Sequence, residues 1–103
     1  RQLDGSRSPF DQLSEIVDAV GDKLDVICEG GIHRGTHMLK ALSLGAKACS
    51  GGRLYLYALA AAGQDGVERA INQYRMELVR GMKLMGCTKI SELNRNNLRF
   101  RRG

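Results

Sequence analysis

The chain has 103 residues, 43% of them hydrophobic and 26% charged, an ordinary soluble composition with room for one modest core at most. No run approaches the roughly 20 consecutive apolar residues of a membrane-spanning helix, and three cysteines without a Cys-x-x-Cys pair argue against a disulfide framework or a zinc site. A net charge of +5 with a pI near 9.5 invites a nucleic-acid reading, but the surplus gathers in a tail over 87–103, at Lys89, Arg95, Arg99, Arg101 and Arg102. Phe100 is the one aromatic among those charges. The tail is expected to be a solvated extension, or to lie across another part of a larger protein, and no nucleic-acid partner is expected.

The opening Arg1-Gln2-Leu3-Asp4 contains neither an initiator Met nor an apolar signal region, so the chain is expected to begin inside a longer protein. Ser8-Pro9 followed by Asp11 supplies an N-cap, a proline at the first helical position and an acid in the first turn. Phe10, Leu13, Ile16, Val17 and Val20 then recur at helical spacing, which predicts an amphipathic helix over 9–20 stopped by Gly21. Leu24 to Cys28 is a strand-sized apolar run ending in Glu29-Gly30-Gly31. A second helix starts at Thr36 and buries Met38, Leu39, Ala41, Leu42 and Leu44, with Gly45 as its stop. Ala46 to Ser50 reads as another strand, and it too runs into Gly-Gly, here Gly51-Gly52. A third helix spans Leu54 to about Ala62 and is closed by Gly63; a long final helix over 66–85 carries Val67, Ala70, Ile71, Tyr74, Leu78, Met82 and Met85 as core filler. One short helical turn is expected near Ser91–Leu93. Cys28 and Cys49 lie in apolar runs, where a free cysteine behaves as a small hydrophobe, in keeping with a reducing compartment.

Alternating β and α units with short loops imply parallel strands. Two such strands cannot stand alone, because parallel sheets are covered on both faces. The sheet is therefore expected to be incomplete. The two strand exits, Cys28-Glu29-Gly30-Gly31 and Cys49-Ser50-Gly51-Gly52, echo each other, with Arg34 and Arg53 beside them. Glycine lets the backbone turn sharply and approach a ligand closely, and the N–H groups at a helix start attract anions. In (β/α)8 barrels the loops after the last two strands form a recurrent phosphate site. The pattern is neither a Rossmann fingerprint nor a P-loop. His33 and His37 are four residues apart, but no glutamate follows His33 as in zinc-protease helices, and no metal site is expected.

With those residues in view, a family resemblance is plain. Arg1-Gln2-Leu3-Asp4 resembles the Arg-Gln-Leu-Asp of the FMN-dependent 2-hydroxy acid dehydrogenases and oxidases, which include glycolate oxidase, L-lactate dehydrogenase and mandelate dehydrogenase. In that family the four residues follow a Ser-Asn-His-Gly stretch whose histidine is the catalytic base. Glu29 to Thr36 is similar to the family's Asp-Gly-Gly-Val-Arg-Arg-Gly-Thr, Lys40 to Ala46 to its Lys-Ala-Leu-Ala-Leu-Gly-Ala, and Gly52-Arg53 to its Gly-Arg. Leu59-Ala60-Ala61 through Gly66-Val67 and Met85-Gly86-Cys87 continue the likeness, which covers essentially the whole chain.

The resemblance implies that residues 1–103 are the C-terminal part of one FMN-binding (β/α)8 barrel, its last two β/α units plus the terminal helices. A full barrel runs to about 250 residues. It implies FMN as cofactor and oxidation of a small L-2-hydroxy acid to the 2-oxo acid. Arg1 would hold the substrate carboxylate through a bidentate guanidinium. Glu29, Gly30, Gly31, Ile32, His33, Gly52 and Arg53 would bind the FMN phosphate and ribityl chain. No catalytic residue is expected within the chain, the base lying just before Arg1, and the segment alone is expected to be inactive. Its partners would be the N-terminal portion of the barrel and, as in many family members, other copies in a homotetramer. The cytoplasm is the default compartment, with membrane association by analogy to bacterial L-lactate dehydrogenases. Three departures from the family pattern matter for the site: Glu29 replaces Asp, His33 replaces an arginine, and Gly51 replaces an apolar strand residue. Exchanging the arginine for histidine trades a permanent fork for a titratable ring. The competing reading is a non-catalytic phosphate-ligand or partner-binding module.

Overall fold

The computed structural model describes residues 3–101. Helix α1, Pro9–Val20, begins where its cap chemistry predicts: Ser8 Oγ accepts the Asp11 N–H at 3.1 Å, and Pro9 opens the first turn. Arg7 folds across this start, donating to Glu15 at 3.0 Å and to the Asp11 carbonyl at 2.9 Å. Leu13 is buried, with Phe10 and Val17 packed beside it, whereas Ile16 is 43% exposed.

Strand β1, Ile27–Glu29, and strand β2, Ala48–Ser50, pair in parallel, with Ile27 opposite Ala48, Cys28 opposite Cys49 and Glu29 opposite Ser50. Both are shorter than the apolar runs that announce them. Leu24 is still tied to α1, its N–H donating to the Val20 carbonyl, and the Ala46 N–H is still donating to Ala41 in the turn off the second helix. Backbone groups satisfied in turns cannot also join a ladder. Helix α2, Gly35–Ser43, links the strands and buries Leu39, Ala41 and Leu42.

Helix α3, Arg53–Met85, holds both later helices of the sequence reading in one run. The expected break is present as a kink, with Ala62 and Gly63 outside helical geometry. Of its apolar stripe, Tyr74 is buried and Leu78 and Met82 pack on the core, but Ile71 is 50% and Met85 39% exposed. The cause is length. At about 1.5 Å per residue, α2 is far shorter than the second limb of α3, whose ends overhang it.

The tail folds back on the body rather than trailing into solvent. Leu93 is buried against Leu39 and Leu42, and Arg95 reaches Asp18 of α1 at 2.7 Å. Two short 3-10 turns, Ile90–Glu92 and Arg95–Asn97, shape it. Only one face of the small sheet is filled. Cys28 points into the core at 3% exposure, while Ile27 beside it is 61% exposed, so the opposite face offers an apolar surface to a further layer. Among the described residues, no helix is long and apolar enough to cross a membrane.

Candidate functional site

Because Glu29 and Ser50 are partners in register, both glycine-rich loops leave the sheet at one level and face each other. They enclose a cavity of about 600 Å³ lined by Glu29, Gly30, Gly31, Ile32, His33, Ser50, Gly52, Arg53 and Leu56. All seven residues expected at a cofactor site lie on this wall. Ser50 and Leu56 were not anticipated; Ser50 ends β2 directly before Gly-Gly, and Leu56 lies one turn into α3. Arg1 lies outside the described residues.

Gly30 and Gly31 occupy the left-handed region at φ +116° and +72°, which side-chain-bearing residues rarely adopt. A β-carbon at Gly30 would also meet Pro9 Cγ at 2.8 Å. Gly51 has a different cause. It takes no part in the cavity wall; a β-carbon there would meet the Tyr55 ring at 2.7 Å, so its departure from an apolar residue makes room for an aromatic. That ring stacks edge-on against Tyr74, centroids 5.6 Å apart, and so couples the start of α3 to its middle.

The two helix starts at the cavity are not equivalent. The first N–H of α2, on Gly35, donates to Glu77 Oε2 at 2.7 Å, so an internal carboxylate already occupies that anion position. Arg34, expected beside the cavity, is drawn to the same residue: its Nε lies 2.9 and 3.1 Å from the two Glu77 oxygens, and it is absent from the cavity wall. Gln73 adds a bond at 3.2 Å. The Arg34 hydrogen bond first, then the Gly35 N–H, hold the Glu77 carboxyl down at about 2. By contrast, α3 starts from Gly52 with no side-chain hydrogen bond to its first turn, and both Gly52 and Arg53 line the cavity.

Glu77 escaped the sequence reading because it acts across 43 residues of chain. Its one signal was an acid on the inward stripe of α3, beside Leu78. Burial pushes the Cys28 thiol up and the Cys49 thiol to about 11, so neither is a nucleophile at neutral pH. Among the described residues no three His, Cys, Asp or Glu side chains gather as a metal site. The available chemistry is anion capture: an uncapped helix start, a guanidinium, an imidazole and backbone brought close by glycine, with Glu29 as a hydroxyl acceptor. These groups fit a phosphate monoester carrying a polyol.

Parallel strands joined by a helical crossover, with both strand exits at one cavity, are α/β architecture. The chain belongs to the FMN-dependent dehydrogenase family, whose model matches residues 1–100. It is 47% identical over 98 residues to L-lactate dehydrogenase (cytochrome) of Saccharomyces cerevisiae, covering 90% of this chain and 17% of that protein. To 2-hydroxyacid oxidase 2 of Homo sapiens it is 42% identical over 102 residues, covering 99% and 29%. Its structure superposes on a soluble mutant of the membrane-associated (S)-mandelate dehydrogenase from Pseudomonas putida with a TM-score of 0.92 at 36% identity, over 98% of this chain and 28% of the other. On the recombinant flavin-binding domain of baker's yeast flavocytochrome b2 it gives 0.86 at 46% identity, over 93% and 26%. The chain thus spans less than a third of each of these relatives. Its β/α units form part of a (β/α)8 barrel.

Proposed function

We propose that this chain is the flavin-phosphate side of an enzyme that oxidises an L-2-hydroxy acid of the lactate, glycolate or mandelate class to its 2-oxo acid. The observation that carries the reading is the cavity between the two strand exits, where the uncapped start of α3 and Arg53 face Gly30, Gly31 and His33. FMN, when bound, supplies the two-electron acceptor. The residues here do the holding: the α3 N–H groups and Arg53 take the phosphate charge, His33 supplies a second nitrogen donor, and Glu29 accepts from ribityl hydroxyls. The imidazole is a softer grip than the arginine of the family pattern, because only its protonated form carries charge.

Arg1 orients the substrate by its carboxylate, and the histidine base precedes it in the full-length protein. The bare sheet face around Ile27, 61% exposed, would turn toward the barrel interior, and the remaining strands would pair along the two free edges of the sheet. The three free thiols favour the cytoplasm, and the family resemblance favours a homotetramer. The test is to titrate flavin-depleted full-length protein with FMN and then add lactate, glycolate or mandelate without oxygen. Flavin fluorescence should quench on binding, and one of the acids should bleach the bound flavin. Full-length protein that takes up inorganic phosphate but no FMN would support the non-catalytic reading instead.

A further inference from the structure

The cavity loop is held from behind as well as shaped by its glycines. The Tyr74 hydroxyl donates to the Ile32 carbonyl, and the His33 N–H donates to Nδ1 of His37 at 3.1 Å. That carbonyl and that N–H belong to one peptide group, so the Ile32–His33 peptide plane is pinned at both ends. Both clamps come from the packed helices, α3 and α2. A ring nitrogen that accepts must present a lone pair, which puts the proton of a neutral His37 on Nε2.

We propose that His37 is a positioning residue for the phosphate seat. His33 lines the cavity and His37 does not, so His37 acts through the peptide it holds. Gly30 and Gly31, both at positive φ, lend the loop little shape of its own, since glycine populates many backbone conformations about equally. The loop's shape then depends on contacts beyond the glycines. Tyr74 alone fixes the carbonyl, but the plane can still rock about that single bond. Adding the His37 acceptor removes that rocking and so fixes the backbone from which the His33 side chain leaves. The inference rests on the flavin-phosphate reading above.

The test uses three substitutions at position 37 in the full-length protein and compares FMN with riboflavin, which lacks the phosphate. Asparagine carries an oxygen where histidine carries Nδ1, glutamine carries one nearer the Nε2 position, and alanine carries neither. Losing one such bond should lower the preference for FMN over riboflavin about fivefold in His37→Ala. His37→Gln should match it, and His37→Asn should stay within about twofold of the native protein. A His37→Ala protein that keeps the native preference overturns the inference. So does a folded His37→Asn protein that behaves like His37→Gln, and this pair decides the matter even where His37→Ala fails to fold. If the native protein shows no preference for FMN, it is the flavin-phosphate reading that falls, and this inference with it.

Discussion

Replacing Glu77 tests how the first cavity loop is anchored where it enters α2. Glu77 is 8% exposed and accepts from Arg34, from the first N–H of α2 and from Gln73. Holding its carboxyl at about 2 instead of the ordinary 4.5 corresponds to roughly 3 kcal/mol as an upper bound. The Arg34 side chain is 63% exposed, so solvent screening reduces the useful part to about 1–2 kcal/mol. Glu77→Gln should therefore lower the unfolding free energy of the full-length protein by about 1–2 kcal/mol at neutral pH. Because the folded carboxyl is depressed, its contribution is fully present above the ordinary carboxylate range. It fades as pH falls from about 5 toward 2. Urea denaturation of the native protein and the variant at stepped pH measures this directly. The two midpoints should converge on acidification. A constant gap, or a loss below about 0.3 kcal/mol at neutral pH, would refute the anchoring role.

Other consequences follow from packing. Ser43 is 2% exposed and its hydroxyl finds no partner among the described residues, so Ser43→Ala, which restores the family's residue, should stabilise by about 1 kcal/mol in the same urea assay. A β-carbon at Gly35 would press on Glu77 Cβ and the Leu78 backbone nitrogen, and since backbone cannot yield as a side-chain tip can, Gly35→Ala should cost about 1–3 kcal/mol. Thermal melting of the variant checks it, and an unchanged midpoint would contradict the packing. Burial raises the Cys28 thiol and holds Cys49 near 11, so iodoacetamide at about pH 8 should leave both unmodified until denaturant is added; mass spectrometry of labelled peptides reads the outcome.

What the sequence disclosed follows the range of the forces involved. The start of α1 was legible because Ser8, Pro9 and Asp11 act within one turn. The cavity wall was legible because the paired Gly-Gly exits repeat a local device, and parallel pairing then sets Glu29 level with Ser50. The strand lengths were not, since Leu24 and Ala46 are apolar yet spend their N–H groups on neighbouring turns. Arg34 was assigned to the cavity because it adjoins the loop, but a carboxylate 43 residues away captures it. The same distance hid Glu77, and the pinned peptide between Ile32 and His33 depends on Tyr74, 42 residues on. The basic tail looked solvated by charge count alone. Its Leu93 and Arg95 find partners on α2 and α1 only after the chain has folded.

In the proposed function the phosphate of FMN sits at the start of α3 and not at that of α2, where Glu77 already stands. A crystal structure of the full-length protein with FMN is the most direct measurement. Phosphate oxygens are expected within hydrogen-bond reach of the first-turn N–H groups of α3 and of the Arg53 guanidinium, with the Glu77–Gly35 bond intact. A phosphate seated on the Gly35 N–H with Glu77 displaced, or bound away from the cavity between the two strand exits, would contradict it.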